Sequence, residues 1–170
     1  MFLFSRIRKK IENRKRLKYI SSAVLGLNDA LVELMGVLAG LTLALREVKL
    51  IAMTALITGI AASLSMAASE YLATKAEGNH RNPFKAATYT GLAYLITIII
   101  LILPYLFFNN VYFCLFFSII LAIFIIFIFN FYISTIKKIS LQRRFTEMLV
   151  VSLGVAFTSF IIGYLVKSIL

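Results

Sequence analysis

Four side chains that can bind a cation lie inside stretches long and apolar enough to cross a membrane: Asp29, Glu33, Met66 and Glu70. Placing an ionised side chain at the centre of a bilayer costs about 2.5–3.5 kcal/mol on insertion scales, and such residues usually serve ion pathways. Carboxylate oxygens together with a thioether sulfur favour a transition metal over Mg²⁺ or Ca²⁺, which prefer oxygen ligands alone. These residue types therefore predict a transition-metal site inside the membrane.

Helical spacing predicts that the four residues form a pathway between the first two helices. Asp29 and Glu33 share one stripe of the first helix, and Met66 and Glu70 share one stripe of the second. Counted inward at about 1.5 Å per residue, Asp29 and Met66 lie at the same depth. Glu70 would then lie at the cytoplasmic entrance of the pathway. Glu33 would face residues 62–63 and would be the next metal-binding position or a proton acceptor. Carboxylates in a low dielectric take up protons when no cation is present, so such a site can exchange metal for protons.

The composition is that of an all-α integral membrane protein. The 170 residues are 61% hydrophobic, and the apolar runs are too long for β-barrel strands of about 10 residues. One cysteine excludes an intrachain disulfide and a zinc-type Cys/His set, so no permanently bound cofactor is expected. The chain has no nucleophile–base pair, HExxH or nucleotide loop, so an enzyme is not expected. Five transmembrane helices are predicted at about 20–45, 50–73, 86–106, 111–136 and 146–167, with Pro104 and Asn109–Asn110 closing the third.

The distribution of basic residues predicts the orientation of these helices. Fifteen Lys and Arg residues lie in the N-terminal segment and in the connections after the second and fourth helices, against three on the other side. The positive-inside rule therefore places the N-terminus in the cytoplasm and the C-terminus outside. The net charge of +11 is then explained by basic residues at the cytoplasmic surface of the lipid bilayer, so it does not indicate nucleic-acid binding. Residues 1–19 form a basic cytoplasmic segment, and residues 20–170 form the transmembrane domain. The basic segment is expected to extend the first helix, to lie on anionic lipid, or to be a solvated cluster of charges.

Two of the remaining helices have distinct faces. Helix four is crowded with Phe and Ile, which predicts a lipid-facing position, with Cys114 as a buried hydrophobe. Helix five carries a stripe of small residues that predicts a close-packing face. The stripe consists of Ser152, Ala156, Ser159 and Gly163. Glu147, at the start of that helix, is expected to be satisfied by the neighbouring Arg143 and Arg144.

Two motifs resemble the vacuolar iron transporter family, particularly its short prokaryotic members. Residues 26–41 read GLNDALVELMGVLAGL, and residues 65–73 read SMAASEYLA. The resemblance implies a homodimer of five-helix subunits that exports Fe²⁺, sometimes Mn²⁺, from the cytosol in exchange for protons. The family's helix-one aspartate corresponds to Asp29 and its helix-two methionine to Met66. Glu70 matches a glutamate of many prokaryotic members, and Glu33 belongs to a narrower subgroup pattern.

The sequence departs from the plant and fungal members of that family in one respect. Those members carry a long metal-collecting insertion between helices two and three, whereas residues 75–85 here form a short connection. Glu77 and His80 are the residues of that connection that would touch an incoming cation. A short chain of this type is expected in a prokaryotic plasma membrane. The alternative function is a non-transporting membrane assembly subunit whose intramembrane acids stabilise the dimer.

Overall fold

The computed structural model describes residues 2–78, 81–137 and 140–169, which form five helices and no strand. The helices are α1 Phe2–Ala44, α2 Val48–Ala76, α3 Pro83–Phe107, α4 Val111–Lys137 and α5 Leu141–Ile169. Each contains a stretch of at least 25 residues that is apolar enough to cross a membrane. The prediction of an all-α protein with five membrane-spanning helices is therefore confirmed. His80 lies outside the described residues.

Several helix ends differ from their predicted positions. α3 begins at Pro83, because proline fits the first turn of a helix and the Asn82 side chain accepts a hydrogen bond from the Lys85 amide at 3.1 Å. Of the residues predicted to close α3, Pro104 lies inside the helix, whereas Asn109 and Asn110 lie beyond its end. The helix runs to Phe107, and the Phe108 amide donates to the Pro104 carbonyl at 3.0 Å. The backbone of residues 2–18 is helical and continuous with the first span, as in the extension alternative.

α3 lies beside both α1 and α2, and this position changes the predicted arrangement. α2 packs mainly on α3 and makes only a small contact with α1. The Ser63 hydroxyl donates to the Gly91 carbonyl of α3 at 3.1 Å, and a Cβ atom at Gly59 would lie 2.8 Å from Ile98. The prediction that the whole α2 stripe faces α1 is therefore wrong. Small residues on α2 and α3 let these two helices approach each other instead.

α1 is the central helix, and glycines allow its neighbours to touch its backbone. A Cβ atom added at Gly26 would lie 2.1 Å from the Thr90 carbonyl oxygen of α3. On the other half of the helix, a Cβ atom added at Gly163 of α5 would lie 2.4 Å from the Gly40 carbonyl oxygen. The small-residue stripe of α5 is therefore a close-packing face as predicted, and its partner is the Gly36–Gly40 pair of α1.

α4 lies at the periphery of the bundle. Its Phe113, Phe116, Phe124 and Phe131 side chains are all exposed on the protein surface, where lipid would cover them. Cys114 is fully buried, as predicted. We call one end of the bundle the basic side, namely the end that holds the N-terminal part of α1 and the α2–α3 and α4–α5 connections.

The glycine contacts predict opposite effects for two equivalent substitutions. Gly26→Ala places a methyl group against a backbone carbonyl that has no room to move, so it should lower the free energy of unfolding by roughly 1–3 kcal/mol. Gly154→Ala is the matched control, because nothing lies within 4 Å of its added Cβ. It should be neutral or stabilising by up to about 1 kcal/mol, since alanine favours a helix interior. Thermal unfolding of the detergent-solubilised variants measures both effects, and equal melting temperatures would contradict this account of the α1–α3 contact.

Candidate functional site

Glu70 is held by a charged hydrogen-bond cluster at the basic side. Its Oε1 atom accepts a hydrogen bond from the Ser22 hydroxyl at 2.6 Å and lies 3.3 Å from Nη2 of Arg81. Arg81 also donates to the Ser22 hydroxyl oxygen. The cluster joins α1, α2 and the segment just before α3, and Glu70 is buried within it. The carboxylate is therefore already paired with a cation from its own chain.

This pairing alters the role expected of Glu70. The sequence indicated no Lys or Arg on the stripes of the first two helices, and Arg81 stood out only as one of several basic residues in a connection. Helical periodicity does not extend into a connection, so no pattern linked Arg81 to Glu70. A divalent cation at Glu70 would compete with the Arg81 guanidinium for Oε1 and would be repelled by its charge.

Glu33 is held by α3 and not by α2. The Tyr94 hydroxyl donates a hydrogen bond to Glu33 Oε2 at 2.6 Å. The expectation that Glu33 faces residues 62–63 is wrong, because Ser63 is turned towards the Gly91 carbonyl of α3. Tyr94 is fully buried, whereas Glu33 remains exposed at the protein surface halfway along a membrane span. The hydrogen bond satisfies one carboxylate oxygen and leaves the rest of the carboxylate accessible.

Asp29 forms neither a hydrogen bond nor an ion pair within the described part of the chain. It lines a cavity of about 470 Å³ between α1, α4 and α5. The other polar or sulfur-bearing side chains of the cavity are Ser21, Asn28, Asn130, Arg144, Glu147 and Met148. Glu147 accepts a hydrogen bond from Arg143 at 2.9 Å on the exposed surface, in agreement with its predicted structural role. Of the acids in the membrane spans, Asp29 is thus the one to which no described residue donates a hydrogen bond or supplies an ion pair.

Met66 lies between Ser63 and Glu70 on α2 and is half-buried against the apolar core. The four predicted ligands therefore have separate surroundings within one chain. Among the described residues, no three His, Cys, Asp or Glu side chains come together as a metal cluster. Sequence reasoning also did not connect Asn130 or Met148 with Asp29, since residues on distant helices share no spacing pattern.

A five-helix bundle with acidic side chains inside its spans defines a small multi-pass integral membrane protein. The sequence profile of the VIT family matches residues 20–82 and 75–164, and the chain belongs to this family. The first matched range contains Asp29, Glu33 and Met66 as well as Glu70 and Arg81. No curated protein gave a significant match to the chain. Family membership indicates a membrane transporter for metal and not an enzyme.

The Glu70–Arg81 pair predicts a stability effect that an exposed pair does not show. The side chains of Arg81 and Glu70 are 18% and 10% exposed, whereas those of Arg143 and Glu147 are 81% and 61% exposed. Arg81→Gln leaves a buried charge unpaired and should cost roughly 2–3 kcal/mol after allowing for partial solvent access. Arg143→Gln should change the free energy of unfolding by less than about 1 kcal/mol.

A double-mutant cycle isolates the interaction between the two side chains. Adding Glu70→Gln to Arg81→Gln should restore part of the lost stability, because the uncompensated charge is removed. Chemical or thermal unfolding in detergent gives the change in the free energy of unfolding for each single variant and for the double variant. Strict additivity of the two single substitutions would show that Glu70 does not depend on Arg81.

Proposed function

We propose that this protein moves a divalent transition metal, Fe²⁺ or Mn²⁺, out of the cytosol in exchange for protons. The observation that carries the proposal is the unpaired carboxylate of Asp29, which lines a cavity within a membrane span. A structural acid in a bilayer is normally paired or hydrogen-bonded, as Glu70 is, because an unpaired one is costly. A cation or a proton supplies the missing partner of Asp29. The basic side faces the cytoplasm in this proposal.

Proton exchange follows from the spacing of two acids on α1. Asp29 and Glu33 are four residues apart, so they occupy neighbouring positions on one helix face, and like charges at that spacing repel. A divalent cation relieves this repulsion, and so does a proton on either carboxyl group. The two ligands therefore compete for the same pair of acids, which is the physical requirement for antiport. Tyr94 holds Glu33 in place while this exchange occurs.

A homodimer is part of the proposal, and the surface of α2 supports it. Ala61, Ser65 and Ser69 follow each other at intervals of four and are all exposed. Small residues at this spacing let a second helix approach closely inside a membrane. Met66 borders this exposed stripe, so a second copy packed there would bring the thioether to a shared pathway. Glu70 would lie one turn nearer the basic side.

Metal uptake into proteoliposomes tests the proposed pathway. In vesicles loaded with a dye that Fe²⁺ quenches, Asp29→Asn should reduce the uptake rate by roughly tenfold or more, because the amide carries no charge for the metal. Met66→Leu should reduce the rate less severely, since it removes one soft ligand and keeps the volume. Met53→Leu is the matched control, because Met53 is exposed on the outer surface of α2.

Parent-like uptake by both Asp29→Asn and Met66→Leu would contradict the proposed pathway. The assembly-subunit alternative would be favoured if Asp29→Asn dissociated the dimer on a sizing column while metal left the melting temperature unchanged. Metal-dependent stabilisation argues the other way, because a ligand stabilises only the folded state that binds it.

Proton coupling predicts a separate phenotype for Glu33. When the vesicle interior is more acidic than the outside, metal uptake by the parent should be severalfold faster, since protons leaving the vesicle drive metal entry. Glu33→Gln should retain uptake but lose most of this acceleration, because one of the two competing acids is gone. A pH-sensitive dye inside the vesicles, read in parallel with the metal dye, measures the exchanged protons. Equal acceleration in parent and variant would place the coupling at another residue.

A further inference from the structure

We propose that Asn130 of α4 and Met148 of α5 complete a divalent transition-metal site with Asp29 of α1. The inference rests on the proposed function and deepens it. It assigns two ligands that lie outside the helix-one and helix-two motifs. The three side chains line one cavity and come from three different helices. They would supply a carboxylate oxygen, an amide oxygen and a thioether sulfur, a set that suits a borderline or soft divalent metal better than Mg²⁺ or Ca²⁺.

The three residues lie at similar depths. Each residue lies about 10–15 Å from the basic-side end of the membrane span of its own helix, at the helical rise of 1.5 Å per residue. The cavity therefore occupies the basic-side half of the bundle. α1 and α5 touch at Gly40 and Gly163 in the other half, and helices that cross at small residues diverge away from the crossing. The cavity lies in the basic-side half, where the described residues show no glycine contact between α1 and α5.

The amide oxygen of Asn130 has no hydrogen-bond partner among the described residues. The residue is 4% exposed, and its amide nitrogen donates to the Ile126 carbonyl at 2.8 Å. Its Oδ1 atom forms no hydrogen bond with any described residue. A buried polar atom normally has a partner, so an unused acceptor beside a cavity indicates a ligand or a water there. Asp29 shows the same deficit at the same cavity, and the two deficits together favour a cation.

The charges around the cavity set how tightly a cation is held. Asp29, Glu147 and Arg144 are the charged groups that line it. Glu147 is engaged by Arg143 at the exposed surface. The Nη1 atom of Arg144 is buried and has no hydrogen-bond partner among the described residues. Arg144 is therefore a positive charge on the wall of the cavity, so it should weaken metal binding and speed release.

Binding of Mn²⁺ and Cd²⁺ to the purified full-length protein in detergent tests the site. Asn130→Leu should weaken binding of both metals roughly tenfold, because both accept oxygen ligands. Met148→Leu should weaken Cd²⁺ binding roughly tenfold and change Mn²⁺ binding far less, since only the softer ion gains much from sulfur. Arg144→Gln should tighten binding of both about threefold or more, as a facing charge is removed. Met53→Leu and Arg46→Gln are the matched controls at exposed positions away from the cavity and should behave like the parent.

A second measurement remains informative if a leucine variant is unstable. Met148→Cys places a thiol in the cavity, where a small thiol reagent should modify it, while Cys114 is fully buried and gives a low background. Mn²⁺ should slow this modification several-fold in the proposed site. Loss of metal binding in Asp29→Asn, with parent-like binding in Asn130→Leu and Met148→Leu and no protection of the thiol, would overturn the inference and leave the proposed function intact. Absence of metal transport by the parent would instead contradict the proposed function itself.

Discussion

Backbone contact between α1 and its two neighbours determines where the acidic side chains of the first span lie. The absence of a side chain at Gly26 lets the α3 backbone approach closely, and its absence at Gly40 does the same for α5 on the other half of α1. Inside a membrane the hydrophobic effect does not drive helices together, so such close packing contributes much of their attraction. Once α3 and α5 occupy these positions, Glu33 meets Tyr94, and Asp29 lies beside the space that α5 leaves open.

The three intramembrane acids are stabilised to different degrees. Glu70 is paired with a serine hydroxyl and a guanidinium, and Glu33 accepts a hydrogen bond from one tyrosine hydroxyl. Asp29 has no partner in the described part of the chain. A fold that needed its acids only for cohesion would pair all of them, because each unpaired charge opposes insertion. The graded pattern separates a paired acid at the basic side, Glu70, from an acid deeper in the bundle, Asp29, that no described residue pairs.

The sequence predicted the helices well because their signal is local. Long apolar runs determine membrane spans, and small residues at intervals of three and four determine close-packing faces, as on α5. The partner of each face was harder to predict. The short connection between α1 and α2 suggested that these helices pair, but periodicity identifies a face and not its neighbour. The Arg81 pairing and the Asp29–Asn130–Met148 cavity depend on contacts between distant parts of the chain, which no local pattern encodes.

α1 extends for 43 residues, or about 65 Å at the rise of an α-helix. The hydrocarbon core of a bilayer is about 30 Å thick, so roughly half of this helix projects beyond it on the basic side. The helix contains no proline, so it behaves as a continuous rod. The part of α1 beyond the hydrocarbon carries eight of the chain's basic residues. Anionic lipid headgroups attract basic segments of this kind, so the charge of the membrane surface acts on the same continuous helix that carries Asp29.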